Sequence, residues 1–260
     1  MRSRFSTMLW VLWECGRMQV REMSGHSLGL IIGVVQPAVF LMVTLGANPD
    51  LSPAQATRLV VAVVLTSLWA SIVWMAGGIL QRELELGTLA ANVASPHPGF
   101  LVLLGKCLGA TVRTIGAILL ATTATLVVMG ASIRLDRPVL LGVGLVTVVL
   151  SGTALGMLLS CLFLLTRYGA HLSSALMYPI FILGGLMIPV DLLPPVVRPV
   201  STVISLRWAQ EFLAGAAAGS ARIPAFVLLV GLTVAYFAVA IWTFNVVVDR
   251  ARRRGTLELV

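Results

Sequence analysis

The sequence predicts an all-α membrane protein with six transmembrane helices, on three observations. The 260-residue chain is 58% hydrophobic and only 11% charged, against about 25% charged residues in soluble domains. Its apolar residues gather in several long runs, with a mean hydropathy of +1.00, which implies a polytopic chain. Its bases lie mostly between those runs and at the termini, so the net charge of +8 reads as membrane topology rather than nucleic-acid binding.

Residues 1–27 predict an amphipathic helix lying in the membrane interface. Phe5, Met8, Leu9 and Leu12 share one helical face and Glu14, Arg17 and Arg21 another, with Trp10 and Trp13 beside them. Glu14 and the lack of a small-residue cleavage site argue against a signal peptide. The first span is expected over residues 28–45, where Pro37 frees a backbone carbonyl and kinks the helix. Residues 47–53 form a turn-rich loop. The second span, residues 59–80, contains no acid or base, and its rise of roughly 33 Å suffices for a hydrocarbon core of about 30 Å.

A charged island, Gln81-Arg82-Glu83-Leu84-Glu85-Leu86-Gly87-Thr88-Leu89, follows. Charge is so scarce here that these groups must meet water or a partner. Gly87 reads as a break and Thr88 as the cap of a short new helix, which ends in the turn at residues 95–99. The island thus sits in a loop over residues 81–100. Residues 100–112 then enter the membrane carrying Lys106, and the third span proper is expected at 114–131. The fourth, 139–166, holds Gly152, Gly156 and Ser160, a ridge of small residues that lets another helix approach. The fifth is expected at 171–188. Residues 189–223 are apolar but punctuated by Pro189, Pro194, Pro195 and Pro199, which excludes one continuous helix and suggests an external re-entrant hairpin. The sixth span, 224–248, leads to a basic tail, residues 249–260. With both termini cytoplasmic, Arg58, Arg134, Arg137, Arg198, Arg207 and Arg222 fall outside and the other twelve bases inside, the bias that cytoplasmic loops show.

No acid or base falls mid-span in this division, which argues against a proton- or sodium-driven carrier. No GxxxxGK[ST] is present: Lys106 follows Gly105, but Phe100 stands where the first glycine belongs. HExxH and GxSxG motifs are missing as well. Cys15, Cys107 and Cys161 have no metal spacing and read as reduced, structural thiols. His26, His97 and His171 are isolated, so no metal site is expected. A six-span chain with no motor of its own and a cytosolic contact helix borrows its energy.

Three stretches resemble a known family. They are Gln36-Pro37-Ala38-Val39-Phe40 with Gly46; the island from Arg82 to Leu89 followed by Ser95-Pro96 and Gly105-Lys106; and Gly184-Gly185-Leu186-Met187-Ile188-Pro189-Val190-Asp191-Leu192-Leu193-Pro194. In this order the chain resembles a type-2 ATP-binding-cassette exporter permease, of the drug-resistance and polyketide-antibiotic branch, over nearly its whole length. Ala90 and Ala91 depart from the acidic continuation common in the family. Ser205-Leu206-Arg207-Trp208 replaces its usual Asn-Pro, which leaves the substrate class open.

The resemblance implies one permease domain over residues 1–260 in a bacterial plasma membrane, working as a pair of permeases, alike or paralogous, above two ATPase subunits. ATP and magnesium would sit on those subunits, and this chain would bind no cofactor. Arg82, Glu83, Glu85, Gly87, Thr88 and Leu89 would couple to the ATPase. Gln36, Phe181, Pro189 and Trp208 would border the path of an amphipathic substrate moved outward. A polysaccharide or glycolipid exporter is the alternative within the class, and an integral membrane enzyme or scaffold the alternative outside it.

Overall fold

The computed structural model describes residues 4–25, 29, 31–48, 51–94, 97–133, 135–166, 169–187 and 190–254. Every regular element among them is helical. Helix α1 is Arg4–Ser24. A π-helical turn, Ile31–Val35, leads into α2, Gln36–Gly46. Helix α3, Pro53–Ser71, passes through a second π turn, Ile72–Ala76, into α4, Ile79–Glu85. A six-residue α5, Leu89–Ala94, precedes two long helices, α6 at Gly99–Met129 and α7 at Pro138–Leu164. Then come α8, Gly169–Leu183, the short α9, Arg198–Thr202, α10, Ser205–Ala217, and α11, Ile223–Arg254.

Four of these stretches are long and apolar enough to cross a bilayer: Pro53–Glu85, Gly99–Met129, Pro138–Leu164 and Ile223–Arg250. The expected first and fifth spans are shorter apolar helices among the described residues, Ile31–Gly46 and His171–Leu183. The kink at Pro37 takes the form of the π turn just before α2. Proline offers no N–H to the carbonyl four residues back, that of Gly33, and a widened turn accommodates the loss. The third span is one continuous helix rather than an entry segment and a span.

The α3–α4 rod is the axis of the fold. Its most apolar window is 89% buried, against 22% for α11. Helix α3 begins with a reciprocal capping box, in which Ser52 accepts from the Gln55 amide and the Gln55 side chain accepts from the Ser52 amide, with Pro53 in the first turn. It packs against α2, α6 and α10, and Leu65, Leu68 and Trp69 join Ile118, Phe163, Phe212 and Leu229 in the main core. Outward, α11 shows Val227, Val234, Val239 and Trp242, and α6 shows Leu120, Val127 and Val128, as helices bathed in lipid do.

Two packing features add to the periodicity reading. Helix α1 lies along α6, but its buried stripe is Val11, Gln19 and Met23; Met8, Leu9, Trp10 and Trp13 stay exposed. Glycines decide this. A Cβ on Gly105 would lie 2.8 Å from the Leu12 carbonyl oxygen, and one on Gly109 would collide with the Gly16 backbone, so only glycines let the two backbones touch. Helix α10, within the segment expected as a re-entrant hairpin, is tightly packed. Its Leu206, Ala209, Phe212 and Leu213 are buried, and it wedges between α3, α7 and α11. Ser151 and Ser205 hydroxyls bond at 2.9 Å across that seam, and Tyr236 of α11 donates its hydroxyl to the Val203 carbonyl.

Candidate functional site

The charged island ends the α3–α4 rod, and the preceding π turn sets how it is presented. Gly77 N–H reaches back to the Ile72 carbonyl at 2.8 Å, and the rod then turns at Gly77-Gly78 before α4. Such a bulge leaves backbone groups in need of partners, and two side chains supply them. Arg82 Nη2 donates to the Met75 carbonyl at 2.5 Å. Ser160 of α7 accepts from the Leu80 N–H at 3.0 Å. Helix α7 comes that close because its ridge is small: a Cβ on Gly152 would lie 2.8 Å from Ile72 Cδ1, and one on Gly156 would lie 2.7 Å from Ala76 Cβ.

Within the island the charges divide. Glu83 is buried, at 6% exposed, and its carboxylate pairs with Lys106 of α6, itself well covered. Glu85 is exposed and accepts from Gln81 Nε2 at 3.3 Å. Beyond it Gly87 takes φ +70°, a conformation that a side chain strains. The turn closes α4 with two bonds, Thr88 N–H to the Glu83 carbonyl at 2.9 Å and Gly87 N–H to the Leu84 carbonyl at 3.1 Å, the Schellman arrangement that satisfies otherwise orphaned carbonyls. The Thr88 hydroxyl also donates to the Glu83 carbonyl. Leu89 then turns inward, 5% exposed, among Ile79, Leu80, Leu103 and Phe244.

The six residues singled out in sequence thus form two groups. Arg82, Glu83 and Leu89 anchor the turn to the bundle. Glu85, Gly87 and Thr88 stand at its exposed apex, with Leu86 between them at 69% exposed. Sequence reasoning missed Leu86 as a surface group and Lys106 as the partner of Glu83. The signal for Lys106 was present: it is the single lysine among eighteen bases and lies in an apolar run. Nearby on α1, the half-buried Cys15 thiol is pushed above its ordinary pKa by burial, with Lys106 pulling it back.

Of the four residues expected along a substrate path, Gln36, Phe181 and Trp208 fall within the described residues. Gln36 is half-buried at the start of α2. Phe181 is buried in the core, edge-on to Tyr178 with centroids 6.4 Å apart. Trp208 is half-buried on α10, where its indole N–H donates to the Thr202 carbonyl at 2.9 Å and the Arg207 guanidinium lies 4.7 Å over its ring. Pro189 lies outside the described residues. At the other end of the rod is a cleft of about 550 Å³, lined in part by Gln55, Arg58, Arg207, Gln210, Glu211 and Arg222.

Comparison with known proteins gives one clear result: the ABC-2 type transporter family profile matches residues 10–218. No curated protein matches the chain.

Proposed function

Because this chain belongs to the ABC-2 type transporter family and is a multi-pass permease subunit of an exporter, we propose that separate ATP-binding-cassette ATPase subunits drive it to move an amphipathic, drug- or lipid-like substrate outward. The observation that carries this reading is the divided island. An exposed turn of Glu85, Leu86, Gly87 and Thr88 is held rigidly by the buried Glu83–Lys106 pair and by Leu89. A partner that pushes on the apex displaces α4 and, through Lys106, α6. A carboxylate exposed beside a leucine offers such a partner one charged and one apolar contact.

In this reading α2 and α8 are the first and fifth of six spans and both termini are cytoplasmic. The apex faces the cytosol, and the arginine-lined cleft faces outward. A second permease copy completes the pathway, its walls drawn from faces such as Val39, Phe40 and Val43 of α2, all exposed in the single chain. Bacterial inner-membrane residence and a role in drug resistance follow from the same reading.

Reconstitution in proteoliposomes with the ATPase subunit tests it. Transport of a fluorescent amphipathic substrate is expected to require ATP and both chains. Replacing the apex by Glu85→Lys and Leu86→Asp is expected to remove copurifying ATPase while the permease stays inserted. Full transport by that variant at normal expression refutes the coupling role. For orientation, an impermeant thiol reagent applied to intact cells reaches Leu51→Cys and Leu135→Cys but not Glu85→Cys; labelling at position 85 reverses the topology.

A further inference from the structure

The cleft at the far end of the rod is lined by charged and polar side chains. Arg58 and Glu83 lie 25 residues apart on the rod, roughly 37 Å at helical rise. That exceeds a hydrocarbon core of about 30 Å, so when the island is at one membrane surface the cleft is at the headgroup level of the other. Among the described residues, three guanidiniums line it against one carboxylate. Glu211 is already held by Arg222 at 2.6 Å. Arg207 uses one donor on the Ser201 hydroxyl, at 2.7 Å, and is braced over Trp208. Arg58 is exposed, and no hydrogen bond or ion pair engages its guanidinium among the described residues.

The backbone adds to this positive field. The first turn of α3 borders the cleft through Ala54 and Gln55, bringing the positive end of a long helix. The carbonyl ends of α8 and α10, which also border it, are consumed by Schellman turns: Leu186 N–H bonds the Phe181 carbonyl at 3.2 Å and Ser220 N–H the Gly215 carbonyl at 2.8 Å. One group in the wall wants a donor instead. Gln210 is 6% exposed, gives its amide N–H to the Arg58 carbonyl at 3.2 Å, and leaves its Oε1 without a partner. A buried acceptor left unpaired is costly.

We propose that this cleft binds the phosphate of a hydroxyl-bearing headgroup. Arg58 and Arg207 grip the phosphate oxygens, and Gln210 Oε1 accepts from a neighbouring hydroxyl. Guanidinium forks match phosphate geometry; a cleft built for an uncharged apolar molecule has no use for an unpaired arginine. The ligand is a polyol phosphate ester, either a lipid of the adjacent leaflet or a soluble organic phosphate.

The test uses the full-length chain in neutral-detergent micelles. Native mass spectrometry reads its binding of phosphatidylglycerol, phosphatidylcholine and glycerol 3-phosphate. Phosphatidylglycerol is expected to bind more tightly than phosphatidylcholine, which lacks the hydroxyl and net charge, and Arg58→Gln or Arg207→Gln weakens it about tenfold or more. The control Arg17→Gln on α1 leaves it unchanged. Arginine-dependent binding of glycerol 3-phosphate alone assigns the site to a soluble ligand; arginine-dependent binding of the lipid alone assigns it to the bilayer. Equal binding of the two lipids without arginine-dependent binding of glycerol 3-phosphate overturns the proposal, as does binding of every probe that is indifferent to Arg58→Gln and Arg207→Gln or equally lost with Arg17→Gln. Unchanged melting of the variants, with partial recovery in Arg58→Lys, separates loss of the site from loss of fold.

Discussion

At Glu83 the α3–α4 rod buries a carboxylate against Lys106, closes its last turn with paired backbone bonds and tucks Leu89 back into the core. At Arg58, near the rod's other end, a guanidinium stands in an open cleft among other arginines. One end is tightened against itself and presents only a narrow apex; the other is left polar and open. The proposed roles divide the same way: the helix receives a push at the closed end and holds a charged group at the open one. Charge placement, rather than helix packing alone, separates the two roles.

The contrast is open to breakage, most severely at the closed end. Glu83→Ala leaves the partly buried Lys106 unpaired, and breaking a buried pair costs up to about 3–5 kcal/mol. Thermal unfolding of the detergent-purified permease is expected to fall accordingly. Glu83→Met with Lys106→Met recovers most of the loss, since apolar replacement of a whole buried pair is often neutral. At the open end, Arg58→Ala shifts stability by less than about 0.5 kcal/mol. Equal losses at Glu83 and Arg58 would erase the distinction.

Overpacking the glycine crossing comes next. Gly109→Leu forces α1 off α6 and costs about 1–3 kcal/mol, visible as faster proteolytic release of α1. Ser160→Ala removes the acceptor for the Leu80 N–H beside the π turn, a loss of about 1–3 kcal/mol for a buried donor left unmade; hydrogen exchange of that amide is the direct readout. The smallest effect lies on α1. The hydrogen bond from Arg17 holds Glu14 below the usual carboxylate pKa, so the pair helps α1 above the unfolded carboxyl's pKa. That help fades as pH falls through the lowered folded value. Amide exchange in α1 should quicken slightly on acidification, and Glu14→Gln should abolish the dependence.

Much of this arrangement is legible in the sequence. Apolar runs place α3, α7 and α11 closely, and Gly152, Gly156 and Ser160 mark the ridge that α7 turns to the rod. Lys106 and Arg113 made α6 look interrupted, because hydropathy counts a charge as exposed and cannot see that Glu83 neutralises Lys106. The face that α1 turns to α6 was not legible: periodicity weighs hydrophobic side chains, whereas Gly16, Gly105 and Gly109 act by having none. The island was legible as a unit, but its division into anchors and apex depends on which face of α4 packs against the bundle, Glu83 inward and Glu85 outward. The arginine cleft was invisible, since Arg58, Arg207 and Arg222 come together only through the wedge of α10.

The most direct measurement of the coupling claim is site-specific cross-linking in the active assembly. Cys107 and Cys161 are buried and Cys15 is half-buried, its pKa raised by burial, so a cysteine introduced at an exposed position reacts over a low background. A bifunctional thiol reagent is expected to join Leu86→Cys to the ATPase subunit, with a yield that changes with ATP, and to leave Arg58→Cys unjoined. A transporting assembly in which position 86 never cross-links, or position 58 does, contradicts the account.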